Sequence, residues 1–133
     1  MTSSSLPILI NGDTDVITAR QQGRAFAARM GFSMIEQVRI TTAISELARN
    51  IVIYGVRGSL TIHELATANR QGIELVFEDE GPGIADMDQA MVQGYTSGKG
   101  LGAGLPGSKR LMDEFEIHNR EGGGLYIRAC KWK

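Results

Sequence analysis

The chain carries three separated stretches of unusual sequence, Glu46-Leu47-Ala48-Arg49-Asn50, Asp79-Glu80-Gly81-Pro82-Gly83 and Gly98-Lys99-Gly100-Leu101-Gly102-Ala103-Gly104-Leu105. We call them the first, second and third box. The first places a carboxylate and a carboxamide four residues apart, the second puts an acidic residue before a glycine turn, and the third alternates glycine with other residues. The spacing of apolar residues around the boxes predicts which elements carry them.

The first box lies in the second of two predicted helices. Apolar residues recur at helical spacing over residues 16–30, and Gly31 stands where a glycine commonly ends a helix. Ser33 and Glu36 form a capping box that opens the second helix. An apolar stripe then continues until Gly55 stops it.

Five short segments are rich in Ile, Leu, Val and Phe and are too short for helices, so they are predicted to be strands. They are Leu6–Ile10, Leu60–Leu65, Ile73–Phe77, Phe115–Asn119 and Leu125–Lys131. The third of them runs into the second box, and the last two predict a terminal hairpin.

The region between the second and third boxes is rich in glycine, with a brief helical pattern at Asp86–Val92. Pro106 suits the first turn of a last helix. The apolar face of that helix is predicted to comprise Leu111, Met112 and Phe115. Together the elements predict a two-layer α/β (α+β) sandwich, with helices on one face of a mixed, mostly antiparallel sheet.

Size and composition limit the possible functions. With 133 residues and 14.4 kDa, the chain is predicted to form one domain over residues 1–133. Its formal net charge of −1 supplies no basic field for nucleic acid. The first residues lack a basic region, and the first apolar run is too short for a signal peptide or a membrane span. We therefore expect a cytoplasmic protein that binds neither nucleic acid nor a membrane.

The first box offers a base and a metal ligand. Glu46 and Asn50 project from the same helix face because they are four residues apart. A carboxylate can accept a proton from an attacking hydroxyl, and a carboxamide oxygen is a hard ligand suited to Mg²⁺. The alternative is a helix-surface hydrogen bond between the two side chains, worth roughly 0.2–0.5 kcal/mol. Asparagine is a poor helix former, and here it has no capping task.

The second box offers an adenine contact. Asp79 ends a predicted buried strand, where a carboxylate can accept a hydrogen bond from the exocyclic amine of adenine. Gly81 and Gly83 would let the backbone approach a flat ring. A simple polar turn is the alternative interpretation.

The third box offers phosphate contacts. Amides exposed before a helix attract phosphate, and Lys99 adds a cation. The alternative is a glycine loop without a ligand. Gly102, Gly104 and Gly107 match the dinucleotide fingerprint, but no strand precedes them. A P-loop requires lysine after Gly107, where this chain has Ser108.

Three further side chains are interpreted as structural. His63 and His118 fall in predicted strands without metal-ligand spacing. Cys130, the single cysteine, lies in the last strand and is expected to be packed instead of nucleophilic.

In order and spacing, the boxes resemble the N box and the two glycine boxes of the Bergerat-fold (GHKL) ATPases, across about residues 40–110. That superfamily includes gyrase, heat-shock-90, histidine kinases and MutL. A closer resemblance runs through residues 39–51, 79–84 and 100–115 and is to the stressosome switch serine/threonine kinases.

The resemblance implies a role for each box. Glu46 would be the catalytic base, Asn50 the magnesium ligand and Asp79 the adenine contact, with Gly81 and Gly83 shaping the adenine pocket. The third box would form a lid over the phosphates. Its nucleotide-binding residues would be Gly98, Lys99, Gly100, Gly102, Gly104 and Leu105.

The resemblance also implies cofactors and partners. ATP and Mg²⁺ would be bound, and serine or threonine residues of STAS-domain stressosome proteins would be phosphorylated. The released kinase would activate a PP2C-type phosphatase. Relatives often carry threonine after a glycine in the penultimate strand, where it helps to bind adenine through water, but here Leu125 follows Gly124.

Three other functions are compatible with the same boxes. The first is a related anti-sigma serine kinase that sequesters a sigma factor. The second is the detached ATPase domain of a sensor histidine kinase, against which stands the lack of a predicted phosphoacceptor or dimerisation helix before the fold. The third is a plain nucleotide-binding module, which would not require Glu46.

Overall fold

The computed structural model describes residues 4–85, 91 and 104–133. Among these residues it contains three α-helices: α1 spans Asp13–Arg29, α2 spans Met34–Tyr54 and α3 spans Gly104–Leu111. The five strands are β1 (Ser5–Ile10), β2 (Gly58–Ala66), β3 (Gln71–Asp79), β4 (Glu114–Asn119) and β5 (Leu125–Trp132). The expected α+β sandwich is confirmed.

The strands form one sheet in the order β1-β2-β3-β5-β4. Each neighbouring pair is antiparallel, so the described part of the sheet has no parallel component of the kind that the sequence left open. Pairing registers place one apolar residue of every strand in a single row across the sheet. This row is Ile8, Leu60, Phe77, Ile127 and Ile117.

The core lies between the sheet and the helices. Alternate strand residues such as Ile62, Leu75 and Ala129 are fully buried, as the period-2 pattern requires when one sheet face is covered. Helix α2 is the central helix, since it packs against both α1 and α3. Gly23 lets α1 approach α2 closely, because a Cβ atom there would lie 2.3 Å from Cδ1 of Ile44.

Helix ends follow the sequence signals. Ser33 Oγ accepts from the amide of Glu36 at 3.2 Å, and the Glu36 carboxylate accepts from the amide of Ser33, which completes the capping box. Gly31 follows α1 with φ of 86°, the left-handed conformation that glycine adopts without steric cost.

The last helix differs from the prediction. It ends at Leu111, so Phe115 belongs to β4 and does not supply the helix face. The chain turns at Asp113, whose amide donates to Cys130 O at 2.8 Å and whose carboxylate accepts from the amide of Trp132 at 2.8 Å. The helical pattern at Asp86–Val92 lies outside the described residues except for Met91, which is in a turn.

None of the helices in the described ranges combines the length and the apolar character that a membrane crossing requires.

Candidate functional site

Helix α2 presents the first box near its C-terminal end. Leu47 and Ala48, which lie between Glu46 and Asn50 in the sequence, belong to the buried face of the helix. Glu46 keeps 42% of its side chain exposed and lies 3.8 Å from the Arg49 guanidinium, a weak i,i+3 ion pair. Its carboxylate is therefore open to a reactant.

Asn50 lies one turn further along and is half-buried. Its Nδ2 atom is buried and has no hydrogen-bond partner among the described residues. A buried amide that lacks a partner costs about 1–3 kcal/mol, and an ordered water, an ion or a ligand can supply the partner. The expected alternative, a hydrogen bond between Glu46 and Asn50, would have satisfied this amide.

Strand β3 ends at Asp79, which is 8% exposed. Its Oδ1 atom accepts from the amide of Gly81 at 2.9 Å and from the amide of Leu125 at 3.2 Å. The two bonds hold the carboxylate in place at the end of β3, the middle strand of the sheet. Both are made by Oδ1, so the fold orients the carboxylate without using Oδ2 in either bond.

Burial raises the pKa of the Asp79 carboxyl above its usual value. The amides of Gly81 and Leu125 and the positive charge of Arg120 oppose this shift without cancelling it. Burial removes water from the charged carboxylate, so a hydrogen bond donated by a ligand would stabilise it.

Glycines bring the end of β3 against the end of α2. A Cβ atom on Gly55 would lie 2.8 Å from Cβ of Asp79, and one on Gly81 would lie 2.5 Å from Tyr54 O. Both distances are too short for a real Cβ contact, so larger side chains would push the two elements apart. This close approach brings the second box to the C-terminal part of α2.

The two boxes meet at a small cavity of about 20 Å³. Its lining residues are Asn50, Tyr54, Asp79, Pro82, Gly83, Ile84 and Leu125. The volume suits a single water molecule. Asn50, Asp79 and Gly83, which sequence reasoning nominated separately, therefore lie around one point, with an unpartnered amide and a buried carboxylate facing the same region.

Leu125, which follows Gly124, lines this cavity and is 7% exposed. An apolar side chain there can pack on a ring but cannot hold a water by a hydroxyl.

The structure describes only the end of the third box. Gly104 is the first residue of α3, and Leu105 is fully buried in the core. Leu105 thus anchors the start of the helix, and α3 packs against α2. The expectations for Gly98, Lys99, Gly100 and Gly102 lie outside the described residues.

The residues around the cavity can be compared with those that a magnesium ion would need. No group of three or more His, Cys, Asp and Glu residues that could hold a metal is found in the described ranges. Mg²⁺ in nucleotide sites usually takes one or two protein oxygens, and phosphates and waters supply the rest. The Oδ1 atom of Asn50 is an oxygen of the type that such a site uses, and the unpartnered Nδ2 atom could at the same time donate to an acceptor on the ligand.

Two contacting residues were missed by sequence reasoning. The Asn119 side chain bonds both backbone groups of Ile84, and the Arg120 guanidinium donates to the backbone oxygen of Asp79. They lie 35 and 41 residues away from their partners in the chain. No local pattern signals a contact over such a separation.

The side chains interpreted as structural lie as expected. Cys130 is fully buried, and burial raises the pKa of its thiol to about 11. His63 is in β2 and bonds Ser5 Oγ at 2.8 Å, while His118 in β4 stacks on Tyr126 with ring centroids 4.6 Å apart.

Comparison with known proteins agrees with this geometry. A family model described as "Histidine kinase-like ATPase domain" matches residues 11–131. The chain belongs to the histidine kinase-like ATPase family. This family is the one to which the boxes pointed, and an ATPase domain implies the use of ATP.

Within the histidine kinase-like ATPases, curated relatives cover most of the chain. It is 47% identical over 125 residues to the serine/threonine-protein kinase RsbT of Bacillus subtilis (strain 168), covering 94% of each protein. It is 33% identical over 120 residues to the anti-sigma F factor of Thermoanaerobacter sp. (strain X514), covering 86% of this chain and 82% of that protein. The expected enzyme class, a protein serine/threonine kinase, is that of the first relative.

Two solved structures share the fold. The RsbU and RsbW domains of a Mycobacterium tuberculosis protein match with a TM-score of 0.67 and 18% identity, over 100% of this chain and 33% of that one. The catalytic domain of the histidine kinase ThkA matches with a TM-score of 0.57 and 14% identity, over 100% of this chain and 99% of that one.

Proposed function

We propose that residues 1–133 act as one domain, an ATP-dependent serine/threonine protein kinase that phosphorylates STAS-domain stressosome proteins and, once released, activates a PP2C-type phosphatase. The observation that carries the ATP site is that Asn50 and Asp79 lie together in a histidine kinase-like ATPase fold; the 20 Å³ cavity that both line marks where they meet and is smaller than a nucleotide. The choice of a kinase is supported by the 47% identity to a serine/threonine-protein kinase. The stressosome partners rest on the resemblance of the boxes.

The adenine base is assigned to the second box. The free side of the Asp79 carboxylate accepts from the exocyclic amine, while Oδ1 stays bonded to the amides of Gly81 and Leu125. Gly83, with φ of 76°, turns the chain so that the backbone lines the cavity. The Leu125 side chain supplies an apolar contact to the ring in place of a water-binding hydroxyl.

The phosphates are assigned to the other two boxes. Asn50 would hold the magnesium ion, which when bound neutralises charge on the phosphate oxygens. In the third box, the backbone amides of Gly98, Gly100, Gly102 and Gly104 and the cation of Lys99 would bind the phosphate oxygens ahead of α3.

Glu46 is assigned the role of general base. Its exposed carboxylate accepts the proton of a serine or threonine hydroxyl from a partner protein. The hydroxyl oxygen bonds to the γ-phosphorus, the bond to the bridging oxygen of ADP breaks, and ADP leaves with that electron pair. A hydroxyl is a weak nucleophile, which is why a base is needed one helical turn from the metal ligand.

Nucleotide binding is tested by thermal unfolding. Mg-ATP at about 100 times its dissociation constant should stabilise the fold by ~2.7 kcal/mol, because only the native state has the site. A melting temperature that saturating Mg-ATP does not move would contradict the proposal.

The role of Glu46 is tested separately from binding. Glu46→Ala should leave ATP affinity unchanged and lower phosphotransfer by roughly two to four orders of magnitude, the scale of a lost general base. Glu121→Ala, which removes an exposed carboxylate in the β4–β5 turn, is the matched control and should retain full activity. Full phosphotransfer by Glu46→Ala would disprove the assignment.

A second candidate, an anti-sigma serine kinase, is favoured by the 33% identity to an anti-sigma F factor. It predicts a stable complex with a sigma factor in the presence of nucleotide. Gel filtration with purified sigma factors distinguishes the two functions, because a stressosome kinase should elute free of them.

A further inference from the structure

The turn between β4 and β5 contacts the loop that follows β3. We call Asn119, Arg120, Gly124 and Leu125 the clamp, because they touch both ends of the segment that runs from Asp79 to Ile84. This segment contains the second box and supplies four of the residues that line the 20 Å³ cavity.

Asn119 holds the far end of the segment. Its Oδ1 accepts from the amide of Ile84 at 2.8 Å, and its Nδ2 donates to Ile84 O at 2.9 Å. The side-chain amide therefore pairs with Ile84 as a backbone peptide of a neighbouring strand would. Gly83 makes room for it, since a Cβ atom there would lie 2.4 Å from Asn119 Oδ1.

The other members of the clamp hold the near end. The Arg120 guanidinium donates to Asp79 O, and the amide of Leu125 donates to Asp79 Oδ1 at 3.2 Å. Gly124 packs so closely that a Cβ atom would lie 1.9 Å from Asp79 O. The near end is thus fixed by several backbone contacts, whereas the described side-chain bonds to Ile84 all come from Asn119.

We propose that Asn119 is a positioning residue for adenine binding, which fixes Ile84 and with it the wall of the cavity formed by Pro82, Gly83 and Ile84. Its side-chain hydrogen bonds in the described part of the chain go to Ile84 and not to Glu46, so we expect it to act on affinity for the base and not on the chemical step. This inference rests on the proposed nucleotide site.

The measurement is the dissociation constant of ATP and of ADP, each with Mg²⁺, for the wild-type protein and Asn119→Ala. Losing two hydrogen bonds that order the wall should weaken both nucleotides about tenfold. The ratio of the two constants should not change, because the phosphate contacts are intact. In phosphotransfer the KM for ATP should rise by the same factor while kcat stays within twofold.

The control variant is Glu121→Gln, an exposed neighbour in the same turn, which should bind both nucleotides as the wild type does. Wild-type affinity in Asn119→Ala, or a fall in kcat with unchanged KM, would overturn the positioning role. Failure of the wild-type protein itself to bind Mg-ATP is a different result, which would refute the proposed function instead.

Asn119→Asp separates a positioning role from a loss of packing and serves as the test if the alanine variant does not fold. A carboxylate can accept from the amide of Ile84 but cannot donate to its carbonyl, whereas a protonated carboxyl does both. The affinity of Asn119→Asp for ATP, divided by that of the wild type at the same pH, should therefore rise towards one as the pH falls. Taking the ratio cancels the titration of Asp79, which occurs in both proteins. A ratio independent of pH would count against the proposal.

Discussion

Replacing Asp79 by asparagine should separate ligand binding from folding. The new Oδ1 can still accept from the amides of Gly81 and Leu125, so the local hydrogen bonds survive. The other carboxylate oxygen becomes an NH₂ group, and in the proposed site this donor would face the exocyclic amine of adenine, which is also a donor. A hydrogen bond to a charged acceptor contributes about 1.5–3 kcal/mol, so ATP should bind roughly 10- to 150-fold more weakly.

The ligand-free protein should respond in the opposite direction. Burial raises the pKa of Asp79, so its ionised form is an unfavourable group in the empty native state at neutral pH. A neutral amide removes that cost, and the free energy of unfolding should be equal to or above that of the wild type. Isothermal titration calorimetry gives the affinity and urea denaturation gives the stability. Unchanged ATP affinity would show that Asp79 does not bind adenine, and a large loss of stability would show that its negative charge is needed for folding.

Three further predictions concern the same region. As the pH falls through the pKa of Asp79, ATP affinity should decline, which calorimetry at a series of pH values measures. Over the same pH range the ligand-free wild type should gain stability relative to Asp79→Asn, because the native state takes up the proton more readily than the unfolded chain does. Urea denaturation at each pH measures this change in the free energy of unfolding. Gly81→Ala should destabilise the fold by about 1–3 kcal/mol, because the added Cβ atom clashes with Tyr54 O. The control is Gly107→Ala in α3, where a Cβ atom meets nothing within 4 Å, and this variant should be neutral or stabilising. Equal melting temperatures for the two variants would be inconsistent with close packing at Gly81. Val56 has φ of 66° and is 72% exposed, so Val56→Asn should raise the stability by about 1 kcal/mol, and a lower midpoint in urea would show that the residue is held by more than its backbone.

The elements of the fold were largely predictable because their signals are local. The capping box at Ser33 and the left-handed Gly31 depend on residues within three or four positions, and both occur as expected. The end of α3 was not predictable in this way. Phe115 continues the helical spacing of Leu111, but the chain turns at Asp113, which bonds β5 through Cys130 O.

The candidate site was predictable only in part. The boxes nominated Asn50 and Asp79 from their neighbours, and the structure brings both to one cavity. What joins them is the close packing of Gly55 and Gly81, where no side chain fits between the end of α2 and the end of β3. Glycine at these positions looks like a helix stop and a turn in the sequence, and its packing role depends on contacts between distant segments. Asn119 was missed for the same reason.

In the proposed function, the γ-phosphoryl group passes from ATP to a hydroxyl of another protein. Incubation with γ-labelled ATP, Mg²⁺ and a STAS-domain protein, followed by acid treatment, tests it directly. We expect label on the STAS-domain protein that survives acid, as a serine or threonine phosphoester does, and a rate of labelling lower by roughly two to four orders of magnitude with Glu46→Ala. Acid-labile label on this chain itself, as phosphohistidine at His63 or His118 would give, would contradict it.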